Sequence, residues 1–408
     1  MAYLRYPTCQ ATGIGPEHGL NATLAIPTTH LLAGGGGDLT GFVEAGFDPV
    51  VAVNHLPEAI ATILANHPQV RGLVEDVVRL NMRALPSTPV VFGSPICTEA
   101  GPSGRRSRAS QLTSPWELTR ATAWCLLRMA EIHNPALVAG ENVLDFATRW
   151  QLFEPWYACW EALGYVGHLV CVDSAHLSGP GNLAAPQRRE RVLFVFAKKG
   201  IHLDLTVSPP AICLTCGPVS GIRAWKPTAR HVAGFPIGTY GPRGAYTYRC
   251  PTCAAQVEPV TQPMAPGIDW SLPMTYVRDG RPDRKTFTPY VPNTQRRIQA
   301  GLDALGGEPF VVICRKNKTF DRLDGPVAAV TAKGNHHMLV LPGPDGTVGG
   351  CRVRMFSTAE KAYAQRFSRT HQFVTRGTQS IGGLLVGNAV SVNTGRWLAE
   401  RIGYGLAA

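Results

Sequence analysis

The chain has 408 residues, 45% of them apolar, enough for two or three domains with a sizeable core and too apolar for a disordered protein. Its 39 Lys and Arg against 28 Asp and Glu leave a formal charge of +11, which suits either a polyanionic partner, nucleic acid being the commonest, or a solvated, slightly basic enzyme. No apolar run reaches transmembrane length and residues 1–15 carry none of signal-peptide length, so a cytoplasmic, nucleoid-associated protein with no membrane partner is expected. Eleven cysteines, an odd number and mostly single in apolar contexts, read as thiols or ligands rather than disulfides.

Residues 1–27 show no periodicity and are read as an N-terminal arm. Thr29–Ala33 reads as a buried strand running into Gly34-Gly35-Gly36-Gly37-Asp38, then a helix over Leu39–Ala45 stopped by Gly46. Pro49–Asn54 is a second strand and Pro57–Asn66 a second helix, the opening of a doubly wound sheet. Strands follow at 72–77, 89–93, 136–139, 165–173 and 191–198, with helices at 117–133 and 149–163. Residues 28–199 form the first domain on this reading. From 200 to 349 the chain turns rich in Pro, Gly and Thr, with helical periodicity only near 293–305, and reads as an inserted second domain. Residues 350–408 read as a C-terminal segment returning to the first domain, helical from Ser357 to Ala408 and broken at Gly382-Gly383 and Gly387-Asn388.

Several of these turns carry chemistry. The glycines at 34–37 end a strand and open a helix, which suits a dinucleotide, S-adenosylmethionine (SAM) or a tight bend. Asn54 stands where such folds usually place a ribose-binding acid. Asp76 could accept from an adenine amino group or cap a helix. Gly93-Ser94-Pro95-Ile96-Cys97-Thr98-Glu99 follows the fourth strand, putting a thiol at the ligand edge of the sheet. The loop after it holds Arg105, Arg106 and Arg108, which can contact phosphates and whose charges lower a neighbouring thiol's pKa, or else form a solvated loop. Gly140-Glu141-Asn142-Val143 brings a carboxyl group to the same edge, where a desolvated glutamic acid can donate a proton. Arg189 and Arg191 in Gln187-Arg188-Arg189-Glu190-Arg191 share one strand face, as anion clamps or salt-bridge partners.

In this order the motifs resemble those of the DNA cytosine-C5 methyltransferases. The glycine turn is similar to the family's first motif, SPIC to its Pro-Cys, GENV to its Glu-Asn-Val, QRRER to its Gln-x-Arg-x-Arg, and Gly387-Asn388-Ala389-Val390 to its Gly-Asn-Ala/Ser-Val. The likeness covers roughly residues 29–200 and 350–402. Ile96 and Thr98 depart from the usual Pro and Gln beside the cysteine, Leu32 from Phe, and Asn54 from the acid. The Pro-x-Cys-Thr motif, the basic loop and Asn54-His55 are most similar to a branch common in actinobacteria and their phages.

The resemblance implies an α/β fold with a Rossmann-like SAM-dependent methyltransferase sheet, a smaller inserted target-recognition domain, and double-stranded DNA in the cleft between them. It implies that Cys97 attacks C6 of a flipped-out cytosine. Glu141 would hydrogen-bond N3, Arg191 would touch the base and Arg189 would support the nucleophile. Leu32, Gly34, Gly36, Gly37, Asn54, Asp76, Pro95, Asn388 and Val390 would line the SAM pocket. A monomer is expected. Rival readings are an RNA cytosine methyltransferase, a DNA-binding relative that has lost catalysis, and an enzyme transferring a group other than methyl. A restriction partner, host defence and phage self-protection all remain open as biological roles.

The insertion holds a second motif. Cys213-Leu214-Thr215-Cys216 and Cys250-Pro251-Thr252-Cys253 are two CxxC knuckles separated by 33 residues, a longer gap than most. Four thiolates so arranged predict a closed tetrahedral structural zinc site in a ribbon over about 211–256. Arg223, Trp225, Lys226, Arg230, Arg243, Tyr246, Tyr248 and Arg249 in this ribbon could contact phosphates and bases, though each taken singly reads sooner as surface or packing, and the His336-His337 pair reads as structural or DNA-facing rather than metal-binding.

Overall fold

A computed structural model describes residues 25–96, 117–315, 319–332 and 335–408. The N-terminal arm up to residue 24 lies outside them, as does the segment 97–116.

The first strand, β1 (Pro27–Leu31), begins and ends two residues before its predicted bounds. It ends where Leu32 turns to φ 60°, a left-handed conformation that takes the chain out of the ladder. Helix α1 (Gly37–Glu44), β2 (Asp48–Asn54), α2 (Pro57–Asn66), β3 (Arg71–Val74) and β4 (Val90–Gly93) follow. Then come α3 (Glu117–His133), β5 (Leu137–Asn142), α4 (Leu144–Arg149), α5 (Phe153–Ala162), β6 (Tyr165–Asp173), β7 (Gln187–Arg188) and β8 (Glu190–Lys198). The helix predicted at 149–163 is α5, beginning four residues later at Phe153, and the short α4 before it was not predicted. The chain breaks at Trp150, whose ring stacks on Phe146 at 5.2 Å, so burying that indole sets the corner.

These strands form one seven-stranded sheet in the order β3-β2-β1-β4-β5-β8-β6. All neighbours are parallel except β8, which runs antiparallel to both β5 and β6. The sheet is covered on both faces, so its strands are apolar runs rather than alternations. Along β8, Val192, Phe194 and Phe196 pack on one side with Trp156 and Trp160 of α5. Leu193, Val195 and Ala197 pack on the other with Trp397, Leu398 and Ile402 of the C-terminal helix. Clamped between two aromatic-rich layers, the strand delivers Arg189 and Arg191 at a fixed height.

Two antiparallel sheets follow, the second extending past residue 349 into the C-terminal segment. The first is a ribbon of β9 (Pro210–Cys213), β10 (Gly217–Ser220), β11 (Ile222–Trp225), β14 (Tyr246–Arg249) and β15 (Gln256–Pro259), with a hairpin of β12 (Arg230–Val232) and β13 (Phe235–Ile237). Its core residues Tyr246, Tyr248, Ile237 and Val257 belong to the same apolar cluster as Tyr157 and Phe196, so the ribbon packs on the catalytic-domain core. The second sheet, β16 (Thr275–Tyr276), β17 (Phe310–Ile313), β18 (Phe320–Arg322), β20 (His337–Leu341) and β21 (Arg352–Met355), has a core of its own. Helix α6 (Pro292–Leu305) covers it through Ile298 and Leu302. A two-residue strand, β19 (Val327–Ala328), pairs with β7 and joins the second sheet to the segment leading into β8. His337 is buried there, stacked on Phe356 at 5.4 Å with Nε2 2.7 Å from the Ala328 carbonyl. Burial holds its pKa down near 3, so it is a neutral core histidine.

Three helices close the chain: α7 (Thr358–Ala364), α8 (Gln379–Asn388) and α9 (Val392–Ala407). Helix α9 lies against α1 so closely that a side chain at Gly41 would stand 2.4 Å from the Arg396 nitrogen.

Candidate active site

The Gly93-Ser94-Pro95 turn leaving β4 and the end of β5 are adjacent, because the two strands pair in parallel. Two hydrogen bonds lock them. The Glu141 N–H donates to Ser94 Oγ at 3.2 Å, and the Asn142 side-chain amide donates to the Pro95 carbonyl at 3.0 Å. Ile96 is held from the other side, its N–H donating to Thr122 Oγ1 at 3.1 Å. The chain entering position 97 is thus anchored beside Glu141. Cys97 itself lies outside the described residues, as do Arg105, Arg106 and Arg108.

Glu141 is 7% exposed. Its register partner on β8 is Leu193, which places Arg191 just beyond the strand end. Arg191 Nε lies 2.8 Å and Arg189 Nε 3.8 Å from Glu141 Oε1. The two arginines therefore share one face, as alternation predicts, but their tasks differ. Arg191 pairs with Glu141 and donates to the Glu190 carbonyl at 2.8 Å. Arg189 spends its guanidinium on the carbonyls of Val330, Gly387 and Ala389, at 3.0, 3.2 and 3.0 Å. It ties the catalytic strand to the second sheet and to the C-terminal motif at once.

That motif closes the glycine turn. Gly34 and Gly36 have φ of 47° and 78°, conformations that favour glycine. A Cβ at Gly37 would stand 2.0 Å from the Val390 carbonyl oxygen, and one at Gly35 2.7 Å from that of Leu385. Leu32, Gly34, Gly36, Gly37, Asn388 and Val390 thus gather at one corner. Asn54 closes β2 there, its Oδ1 accepting the Leu56 N–H at 2.9 Å. Asp76 lies past β3, which stops at Val74, and its Oδ1 accepts the Val78 N–H at 3.0 Å across a turn. No helix starts at Asp76 among the described elements, so the side chain closes a turn rather than capping a helix.

A buried network supports the corner, and the motif reading missed half of it. Gln187 donates to Gln365 Oε1 at 3.0 Å, and both are fully buried. Gln365 in turn donates to the Val386 carbonyl at 2.9 Å and accepts from Ser391 Oγ. Arg354 forks onto Glu360 at 2.7 and 2.6 Å. The signal for the second pair was in the sequence: Ser357-x-x-Glu360 is a capping box, and both of its bonds form.

In the ribbon the four sulfurs of Cys213, Cys216, Cys250 and Cys253 lie within 4.8 Å of one another. Tetrahedral zinc with sulfur at about 2.3 Å needs sulfur separations of about 3.8 Å, so the set fits that ion. Backbone N–H groups of Cys253 and Thr252 bring the Cys250 thiol down to about 6, and those of Cys216 and Thr215 lower that of Cys213. Such donors favour the thiolate, the form that binds metal. Among the described residues no helix is long and apolar enough to cross a membrane.

A mixed seven-stranded sheet with β8 reversed, a glycine turn after β1 and a polar cluster at the ends of β4 and β5 define a SAM-dependent methyltransferase fold of Rossmann-like type. Solved structures agree: Schizosaccharomyces pombe Dnmt2 methyltransferase aligns with 94% of this chain and all of its own at a TM-score of 0.57 and 13% identity. A Spodoptera frugiperda DNMT2 aligns with 93% at 0.57 and 14% identity. Residues 26–214, somewhat under half of the chain, match the C-5 cytosine-specific DNA methylase family. Among curated relatives, the type II methyltransferase M.AgeI of Thalassovita gelatinovora is 27% identical over 210 residues, 48% of this chain and 44% of the relative. M.DdeI of Desulfomicrobium norvegicum is 26% identical over 186 residues, 44% of this chain and 42% of the relative. The chain thus spans less than half the length of the curated relatives it matches.

Proposed function

We propose that this chain methylates C5 of cytosine in double-stranded DNA, with the target base extruded from the helix and Cys97 as nucleophile. The observation that carries the reading is the locking of the Ser94-Pro95 turn, two residues before Cys97, onto Glu141 and Asn142, within a segment matching the C-5 cytosine family. The Cys97 thiolate adds to C6, while Glu141, oriented by Arg191, shares a proton with N3. C5 thereby becomes nucleophilic. SAM supplies the methyl group, held by the glycine turn, Asn54, Pro95 and the Asn388–Val390 segment, with Asp76 at the rim. Loss of the C5 proton then expels the thiolate and restores the aromatic ring. Arg105, Arg106 and Arg108 would meet DNA phosphates after Cys97, and the second sheet with its ribbon would read the target sequence. Zinc held by the four cysteines would be structural.

The test is covalent trapping. Duplex DNA carrying 5-fluorocytosine at its target sites, incubated with SAM, should form a denaturation-resistant adduct, because the fluorine cannot leave as a proton does. Cys97→Ala should abolish it. A wild-type chain that forms no adduct on any duplex would refute the mechanism. Adducts on structured RNA but not on DNA would reassign the substrate, and mass spectrometry of the product nucleoside identifies the group transferred.

A further inference from the structure

We infer that the four-cysteine ribbon positions the catalytic strand, acting through Glu190. This rests on the proposed methyl transfer but concerns a different part of the molecule.

Glu190 stands between Arg189 and Arg191, with its side chain turned away from the substrate edge toward the ribbon. Its Oε1 accepts the Tyr240 N–H at 2.7 Å. The Tyr240 hydroxyl donates to Glu258 Oε2 in a short hydrogen bond. Glu258 sits on β15, opposite Ile212 of β9, one residue from the ligand Cys213. The same strand starts three residues after the ligand Cys253. A continuous path therefore runs from the thiol cluster through β9, β15 and Tyr240 to the residue bonded to both catalytic arginines.

The surroundings support a rigid joint. His176 lies edge-on to Tyr240 at 4.5 Å and to Tyr248 at 5.7 Å. The Gly238 N–H donates to Cys171 Sγ at 3.4 Å, a second tie between ribbon and edge strand. Asp173 opposes Glu190 in the β6–β8 ladder, and its Oδ1 accepts the Arg189 N–H at 2.8 Å. Charged side chains near the Glu190 carboxylate are Asp173, Arg188 and Arg191. A misplacement here passes directly into the Arg191–Glu141 pair, since Arg191 also donates to the Glu190 carbonyl. Shifts of about 1 Å at positioning residues cost on the order of 10²-fold in rate.

Glu190 is a positioning residue on this account, and a double-mutant cycle in the full-length protein tests it. Glu190→Ala should lower kcat at least 10-fold with KM for SAM within 2-fold. Glu190→Gln, which still accepts from Tyr240, should stay within 3-fold of wild type. Cys216→Ser, its zinc retention measured against a chromophoric chelator, should lower kcat alone but produce little further fall in the Glu190→Ala background. Hydrogen exchange of residues 187–193 supplies a readout independent of turnover: Cys216→Ser should speed exchange there in the wild-type background and not in Glu190→Ala. Wild-type kcat in Glu190→Ala, or independent effects of the two changes on both readouts, would overturn the inference. If the wild-type protein transfers no methyl group, the reaction assignment fails and the exchange measurement alone decides the coupling.

Discussion

Replacing Gly37 by Ala tests the corner proposed to hold SAM. Gly37 is the first residue of α1 and its φ is not positive, so Ala is allowed by the backbone. Ala in a helix ordinarily gains about 0.5–1 kcal/mol over Gly. Here the added carbon would stand 2.0 Å from the Val390 carbonyl oxygen and 3.1 Å from Phe367. A separation of at least about 3 Å is needed, so the Asn388–Val390 backbone must retreat by roughly 1 Å. Overpacking of this kind costs about 1–3 kcal/mol, more than the helix gains. Because the strained partner is the cofactor-lining segment, each 1.4 kcal/mol of its displacement is tenfold in affinity. Calorimetric titration should show SAM binding at least ~10-fold weaker. Gly46→Ala is the control. Gly46, unlike Gly37, has a positive φ, 87°, but open space around it, so its replacement should cost about 1 kcal/mol of stability and leave SAM affinity unchanged. Wild-type affinity in Gly37→Ala, or equal damage from Gly46→Ala, would refute the packing of the glycine turn against the C-terminal motif.

Glu141→Gln should reduce methyl transfer about 10²- to 10⁴-fold with SAM affinity intact, measured by single-turnover kinetics and titration, since it removes the acid and unpairs Arg191 together. Arg354→Ala leaves Glu360 charged and buried, and should destabilise the protein by about 3–5 kcal/mol in urea unfolding, with Arg354→Lys only partly restoring it because the fork is lost. The purified chain should hold one zinc equivalent, and Cys216→Ser should lower both zinc content and the melting temperature. Burial and the Asp173 charge raise the Glu190 pKa from the usual 4.5 to about 7. The native state thus keeps a proton that the unfolded chain loses, and this group's stabilisation fades as pH rises from 4.5 through 7. Glu190→Gln should therefore match wild-type stability near pH 4.5 and exceed it above pH 7, by at most on the order of 3 kcal/mol; a constant difference across that range would exclude the linkage.

What the sequence revealed and what it concealed divide along one physical line. Residues that act through local geometry were legible: a glycine run after a strand, a glutamate at the end of a neighbouring strand, two arginines at period two, two CxxC knuckles. Each needs only strand alternation and turn chemistry to be placed, whereas the Asn388–Val390 segment was placed beside the glycine turn by the family resemblance alone. What stayed hidden depends on partners far off in the chain. That Arg189 would be committed to the carbonyls of Val330, Gly387 and Ala389 follows from three separate segments meeting, and no local pattern announces it. The docking of the ribbon is of the same kind. Tyr246 and Tyr248 could by sequence face DNA or pack, and they pack: both are buried against the large sheet's core. Their aromatic area is what fastens an insertion of some fifty residues to the edge of the sheet, leaving nucleic acid only those ribbon side chains that point away from it. Arg230 and Arg249 are exposed there, whereas Arg223 is drawn inward over the Tyr246 ring at 4.4 Å. Charge in this ribbon thus has two destinations, and burial rather than composition decides between them.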